Sequence, residues 1–501
     1  MTHPDKSASP YDFVVIGSGF GGSVAAHQLS TAGAKVLLLE RGPWRDTAPV
    51  QAMGIEDRQP LPSGWGSLSN SIRSLSSPWL GKRRLTLNSN GLFDLFHDRA
   101  MNIVCSSGVG GGSHVYSAMN VRPAVKDYWA FLGEPESKAM DQHYDWMIRN
   151  MGATPPHSEE PIANLTTKQF EDDPHFTAGP TVQQPAMSVH REHPESLRNN
   201  SFFGSKNGQK ATLDTILLGP ALLAGLEIRD LQECLAVIRQ GSGYRLDVYD
   251  HKQGRHHSIK AKKVILAAGT LNTLRLLFKS RNLGGLHGMP ALGWGFYGNG
   301  DFIGYWARNV HGANFTEGLP CQGRFALTDY PDCPDLTSYG INGLDQLPVP
   351  TPIKRRLRRD SLVVGMGPDE LGGQVSWYRH DLKLHYQQSQ NPIIQKIINA
   401  FNEIAKRSGK PVLYSKHQLL TVHPLGGARC GENPTDSVIN EHGEAHDNPG
   451  LFICDASALP KAPGSPPSMT IAAWSRHVCQ ALIPTMKLDQ ERHCHDTQLH
   501  I

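Results

Sequence analysis

No run of apolar residues in this chain reaches the ~18 that a membrane-spanning helix needs, so an integral membrane protein is not expected. Charge of one sign is equally scarce. Charged residues make up 19% of the 501 and the formal net charge is +3, which gives no field that would single out nucleic acid as a partner. The local exception, Lys354-Arg355-Arg356-Leu357-Arg358-Arg359, reads as a solvated surface loop after Thr351-Pro352 rather than a membrane-surface or anion patch. Cysteine is thin too: eight residues at irregular spacings, with no C-x-x-C pair. That argues against a zinc site and against a dense disulfide framework. The opening MTHPDKSASPYDF is polar and proline-broken, unlike a secretory leader. The expectation is a soluble, cytoplasmic enzyme, long enough for two packed units around a large core.

What is present begins with YDFVVIGSGFGGSVAAHQLSTAGAKVLLLERG, residues 11–42. Asp12–Ile16 is a short apolar strand, and Gly17, Gly19 and Gly22 follow as G-x-G-x-x-G. Ser23–Thr31 has helical spacing, with Val24, Ala25 and Leu29 on one face. Lys35–Leu39 is a second buried strand closed by Glu40. This is a βαβ unit whose glycines let backbone approach a pyrophosphate at a helix N-terminus. Glu40 is placed to accept hydrogen bonds from a ribose diol and disfavours a 2′-phosphate. The bland alternative, a tight strand–helix turn without ligand, leaves the acid unexplained. NAD and FAD share this adenosine end, so the motif does not choose between them.

Gly108–Ser113 reads GVGGGS. So many glycines cannot form a stable helix or strand interior, and such a loop allows close approach to a large planar or anionic ligand; a structural hinge is the alternative. Lys262–Leu277, KKVILAAGTLNTLRLL, reads as strand, small-residue turn and helix, so the nucleotide domain is discontinuous in sequence. Near the end come LTVHPLGGARCG (420–431) and LFICDASALPKAPGSPPSMTIAAWSRHVCQAL (451–482). The spacing predicts a strand Leu451–Cys454 ending at Asp455 and a helix Thr470–Leu482.

Four separated stretches, VVIGSGFGGSVAA…LLLERG, SGVGGGSHVYSAMNVRP, VILAAGTLNTLRLL and HPLGG…LFICDASALP…PSMTIAA, together resemble the glucose–methanol–choline (GMC) flavoprotein oxidoreductases, in the branch that contains cholesterol oxidases. GWGFYGNG (293–300) is a weaker echo, and 124–210 and 301–410 carry little that matches. The resemblance implies an α/β chain: a Rossmann-like FAD-binding domain with a parallel sheet, plus a substrate domain on an antiparallel sheet with helices. The expected segments are 1–45, 95–123, 205–300 and 415–501 for FAD, and 46–94, 124–204 and 301–414 for substrate. Gly17, Gly19, Gly22 and Glu40 would hold adenosine and pyrophosphate. Gly108, Gly110, Gly111, Gly112 and Ser113 would lie along the flavin, and Ala268 and Gly269 would approach its ribityl side. Asp455 and Ala456 would bind the cofactor chain, and Met469 and Thr470 would start a helix under the pyrimidine end.

Taking two electrons from an alcohol requires a base within reach of the hydroxyl proton, and histidine titrates near working pH. A lone His before Pro is more often structural, but the HPLGG motif makes His423 the candidate base. Negative charge at the N1/O2 edge of the reduced flavin would face a helix N-terminus. Similar enzymes carry a second polar partner, His or Asn, three or four residues before the threonine of that helix. Here Pro466 and Pro467 stand there. Three readings stay open: Ser465 or Ser468 orients the substrate hydroxyl; His423 acts alone on an activated substrate; or the flavin serves a non-oxidative reaction, as in lyases, isomerases or light-driven decarboxylases.

The expected substrate is a bulky apolar alcohol (sterol, terpenoid or lipid-like), with O₂ or another acceptor reoxidising the flavin. Peripheral membrane contact is compatible with such a substrate. His114 falls one place before the histidine that links FAD covalently in some relatives, so non-covalent FAD is expected, with His114 in packing or cofactor contact. Glu370, in GMGPDELGG (365–373), reads as a plain turn residue, the alternative being an acid that serves isomerisation as in cholesterol oxidases. The alternatives from other classes are a flavin-binding sensor without turnover and an NAD-dependent dehydrogenase, which would be colourless.

Overall fold

The structure is a computed structural model that describes residues 10–77, 84–154, 176–178, 185–189, 202–316, 320–327, 330, 332–341, 343–344, 347–370, 372–387, 390–415 and 419–498. The polar N-terminal stretch and much of the expected 124–204 substrate segment lie outside the described residues.

The first sheet has seven strands. Tyr11–Ile16 lies parallel to Val36–Leu39 on one side (Phe13 opposite Val36) and to the end of the long strand Arg255–Leu266 on the other (Ile16 opposite Leu266). Glu227–Arg229 and Leu451–Ile453 join in parallel at either side, and an antiparallel hairpin, Gln232–Gln240 with Gly243–Asp250, completes it. The central strands are buried on both faces, with Val14, Leu37 and Val264 fully inaccessible. That is why they read as continuous apolar runs rather than alternating ones.

The helix Phe20–Thr31 packs against the C-terminal helix Ser468–Gln498. The pair is pinned by the Ser475 hydroxyl donating to the Gly21 carbonyl at 2.7 Å, and Gly21 also lets the first helix close on the end of the strand Leu451–Ile453, where a Cβ would lie 1.6 Å from the Cys454 carbonyl oxygen. The C-terminal helix begins two residues before the expected Thr470, because the Pro467 carbonyl already accepts the Ile471 N–H at 2.9 Å.

A six-stranded antiparallel sheet forms a second layer, ordered Val412–Leu413, Phe302–Trp306, Ser361–Gly365, Leu336–Tyr339, Cys321–Leu327, Phe176–Ala178. One face carries Phe302, Gly304, Val363 and Gly365 against the helix Pro392–Ser408; a Cβ at Gly304 or Gly365 would run into Phe401 or Ile397. The other face presents Ile303, Leu362 and Val364 to a cavity. Parallel and antiparallel sheets are thus both present, as the α/β expectation required.

Two smaller sheets join these layers. The expected 94/95 border falls inside the strand Phe93–His97, which pairs with Ile72–Ser76, so segments assigned to different domains share a sheet. The basic run also departs from expectation: Thr351–Leu357 is a short exposed helix, not a loop. Pro352 in its first turn suits a helix start, and Arg356 pairs with Asp360 one turn on at 3.0 Å. Among the described residues no helix is long and apolar enough to cross a membrane.

Candidate active site

The three fingerprint glycines do different work. At Gly17 the backbone is left-handed (φ +97°) and a Cβ would strike the Ala267 carbonyl. At Gly22 a Cβ would sit 1.9 Å from the Gly17 carbonyl oxygen, so this glycine seats the helix on the turn. A Cβ at Gly19 would meet nothing within 4 Å. It would project into a cavity of about 1150 Å³, at the N-terminus of a helix with no side-chain cap. Open space in front of unpaired N–H groups suits a pyrophosphate.

Glu40 is buried, and its Oε2 accepts from the Ser18 N–H (3.1 Å) and lies 2.7 Å from the Ser18 hydroxyl oxygen, while Oε1 accepts the Gly42 N–H at 2.8 Å. Ser18, which the sequence reading passed over, also accepts the Gly110 N–H at 3.1 Å and lies 3.1 Å from the Gly108 carbonyl. The two glycine-rich loops are therefore tied through one hydroxyl. They also interlock sterically, since a Cβ at Gly111 would lie 2.6 Å from the Gly19 Cα. Gly108, Gly110 and Gly111 have positive φ, and Gly111–His114 closes into a 3₁₀ turn instead of remaining an open loop. The Ser113 hydroxyl donates to the Gly110 carbonyl at 2.7 Å, inside that turn.

On the other side of the cavity, the Asp455 Oδ2 accepts the Gly269 N–H at 2.9 Å and the Thr273 hydroxyl, and Oδ1 accepts the Ser457 N–H (2.9 Å) and hydroxyl (2.6 Å). Asp455 thereby joins the helix that begins at Thr270 to the turn at Ala456. Burial pushes its carboxyl above the usual aspartate range, against the pull of these bonds.

His423 lines the same cavity. Its Nδ1 lies 2.8 and 3.0 Å from the two carboxylate oxygens of Asp301. A carboxylate accepts, so Nδ1 donates, and the ring carries its proton there when neutral. Nε2 has no partner among the described residues. Asp301 also receives the Val422 N–H at 3.2 Å and the Thr421 hydroxyl at 2.8 Å, and Thr421 in turn accepts the His423 N–H at 2.9 Å.

Of the residues expected at the site, Gly17, Gly19, Glu40 and Gly111 meet around the cavity with Gly112, Ala268, Gly269, His423, Asp455, Ala456 and Ser468. Gly22, Gly108, Gly110, Ser113, Met469 and Thr470 stand behind that lining. Ser465 does as well: its hydroxyl donates to the Arg122 carbonyl at 2.9 Å. Pro466 and Pro467 face the cavity. His114 is buried outside the lining, with Nε2 2.7 Å from the Val109 carbonyl, and burial holds its imidazole below the usual range. Glu370 is exposed in the turn between strands, while Asp369 beside it is buried. Asp301 carried only a faint sequence signal, as the residue just after the GWGFYGNG echo.

GMC oxidoreductase family models match residues 11–286 and 388–475. The chain belongs to the GMC oxidoreductases, the FAD-binding flavoproteins whose pattern the four stretches follow. Relatives of the family are distant in sequence. A long-chain-alcohol oxidase of Arabidopsis thaliana is 24% identical over 549 residues, covering 95% of this chain and 67% of that one. A cholesterol oxidase of Mycobacterium tuberculosis is 24% identical over 562 residues, covering 92% and 89%. A C-glycoside 3-oxidase of Arthrobacter globiformis is 23% identical over 507 residues, covering 92% and 93%. Among solved structures, pyridoxine 4-oxidase from Mesorbium loti superposes with a TM-score of 0.62 at 16% identity, covering 94% of this chain and 99% of that one. A fungal aryl-alcohol oxidase gives 0.61 at 13%, covering 96% and 100%. At these identities the structures establish the GMC fold.

Proposed function

We propose that this GMC oxidoreductase oxidises the CH–OH group of a bulky apolar alcohol, with His423 as the base. The observation that carries the reading is the coincidence, in one cavity, of an imidazole whose Nε2 is unengaged and a wall of apolar side chains. That wall comprises Met119, Ile303, Leu362, Val364 and Met366, together with Tyr339. A long or fused-ring hydrocarbon buries against such a surface at roughly 25 cal/mol per Å². The named activities of the plant and mycobacterial relatives, on long-chain alcohols and cholesterol, agree with that chemistry.

The residues present fit FAD. Gly19 and the helix behind it would hold the pyrophosphate, Glu40 the ribose, and Gly111, Gly112, Ala268 and Gly269 the approach to the ring. FAD, when bound, accepts the two electrons and the hydrogen of the carbinol carbon. His423 takes the hydroxyl proton at Nε2. The first turn at Ser468, Met469 and Thr470, whose N–H groups precede the first intrahelical bond, presents a positive helix end at the cavity. Our reading has the attachment non-covalent, which the engagement of His114 with Val109 outside the cavity lining supports.

One observation favours a second reading. Pro466 and Pro467 bring no side-chain donor to the cavity and the Ser465 hydroxyl is spent on Arg122. Only Ser468 of the expected partners lines it, so non-oxidative flavin chemistry (a lyase, an isomerase or a light-driven decarboxylase) is the alternative. Visible spectra of the purified protein, taken anaerobically in the dark before and after dodecan-1-ol or cholesterol, decide between them. Bleaching of the yellow band supports alcohol oxidation. A band that neither alcohol bleaches would replace it with the second reading, and turnover only under blue light would mark the light-driven form.

A further inference from the structure

The carboxylate beneath His423 is unusual in its surroundings. Asp301 is 3% exposed, and among the described residues no lysine or arginine pairs with it; its ionic partner is His423. An isolated buried carboxylate is costly unless it is neutralised or richly hydrogen-bonded. Here the Thr421 hydroxyl, the Val422 N–H and the imidazole all converge on it.

The turn that carries it is held from several sides. The Asp301 N–H donates to the Gly298 carbonyl at 3.2 Å. Asn299 and Gly300 have positive φ, and a Cβ at Gly300 would strike the Gly367 carbonyl. Asp369 accepts the Gly298 N–H at 2.8 Å and the Tyr386 hydroxyl at 2.9 Å. Thr421 lies 3.0 Å from the Gly298 carbonyl, which ties this turn to the segment of the base. Such a frame fixes a carboxylate's place well enough for it to fix a ring.

We infer that Asp301 is the positioning residue of the base: it holds His423 in the Nδ1–H tautomer with Nε2 as the basic nitrogen, and offsets the missing polar partner at Pro466 and Pro467. The inference rests on the reading of His423 as base. When Nε2 takes the proton from the substrate oxygen, both ring nitrogens carry hydrogen and the positive charge lies against the Asp301 carboxylate, which keeps its own charge. The O–H and carbinol C–H bonds break, an N–H bond and the second C–O bond of the carbonyl form, and the C–H hydrogen with its electron pair would go to FAD. A site whose second polar residue has been lost from the helix side thus has electrostatic support from beneath the base.

The test is a long-range ¹H–¹⁵N correlation spectrum of the FAD-bound protein carrying ring-¹⁵N histidine, with the His423 signals identified by their loss in His423→Gln. The expected wild-type pattern is a protonated Nδ1 and an unprotonated Nε2. In Asp301→Asn the carboxamide can donate to Nδ1, so the proton moves to Nε2. Anaerobic flavin reduction by dodecan-1-ol falls by about 10²–10⁴-fold, the range for loss of a general base or its correct tautomer, while FAD affinity measured by fluorescence is unchanged. Asp301→Glu recovers part of the rate. A wild-type ring protonated on Nε2, or an Asp301→Asn ring that keeps the wild-type tautomer, overturns the inference. The wild-type spectrum decides even if the Asp301 variants fail to fold. If neither dodecan-1-ol nor cholesterol reduces the wild-type flavin, the alcohol reading fails, and the tautomer still reports on Asp301.

Discussion

The side chain of Asn299 bridges the two halves of the active site: its amide donates to the Ser465 carbonyl at 3.1 Å and its oxygen accepts the Gly464 N–H at 3.1 Å. Asn299 is fully buried and lies two residues before Asp301. One turn therefore positions both the support of the base and the proline segment that leads into the C-terminal helix. Its φ of +59° suits asparagine better than most side chains.

Replacing Asn299 with Ala leaves a buried N–H and a buried carbonyl without their partner, each worth about 1–3 kcal/mol. Loss of roughly 2–6 kcal/mol in urea unfolding is expected, together with slower flavin reduction because the two halves lose their register. Asn299→Asp keeps the acceptor for Gly464 but sets a buried carboxylate against the Ser465 carbonyl, and should lose at least as much.

The fingerprint glycines should separate by variant. Gly19→Ala leaves the fold within about 1 kcal/mol of wild type, the cost of a poorer N-cap, yet weakens FAD binding, since its methyl group enters the space offered to the pyrophosphate. Gly22→Ala forces helix and turn apart, costs roughly 1–3 kcal/mol or more as overpacking does, and loses FAD as a consequence. Thermal melts of apoprotein alongside FAD fluorescence titrations distinguish the two.

Pro466→Asn places a donor where the cavity now has only a ring. If the chain oxidises alcohols, the anaerobic reduction rate with dodecan-1-ol should rise by about 10-fold, the worth of one good hydrogen bond. Ser465→Ala should leave that rate within about twofold, because the hydroxyl it removes contributes only a hydrogen bond to a backbone carbonyl.

Asp369 makes stability depend on pH. Burial, with the Asp301 charge nearby, pushes its carboxyl from 3.8 up to about 6. Between these values the native state binds more protons than the unfolded one, so stability falls as pH rises. The change is roughly 3 kcal/mol across the window, present in full below the unfolded pKa and lost as pH rises through about 6. Asp369→Asn should flatten urea midpoints between pH 4 and pH 6, relative to wild type, by about that amount.

The nucleotide half of the fold was legible because its constraints are local. Gly17, Gly19 and Gly22 sit in one strand–turn–helix stretch and read as a motif there, although Gly17 also answers to the distant Ala267 carbonyl, and Val14, Leu37 and Val264 had to be apolar on both faces of a parallel sheet. The antiparallel layer shows no apolar–polar alternation in FIGYW or SLVVG, because the helix Pro392–Ser408 covers one face while Ile303 and Val364 line the cavity on the other. Asp301 lies 122 residues from His423 and is brought there by the junction of two sheets, so no spacing rule reaches it. Ser465 stands next to Pro466 in sequence, but its hydroxyl is drawn away by the Arg122 carbonyl, 343 residues distant. The basic run shows the same limit: composition placed it at the surface, while Pro352 and the Arg356–Asp360 pair make it helical.

The central claim is that His423 is the base of a flavin-dependent alcohol oxidation. The most direct test compares anaerobic visible spectra of wild type and His423→Ala, both loaded with FAD, after dodecan-1-ol or cholesterol is added in the dark. The account predicts that at least one of these alcohols bleaches the wild-type band, while His423→Ala stays yellow with its FAD affinity intact. Bleaching of His423→Ala at the wild-type rate would contradict it.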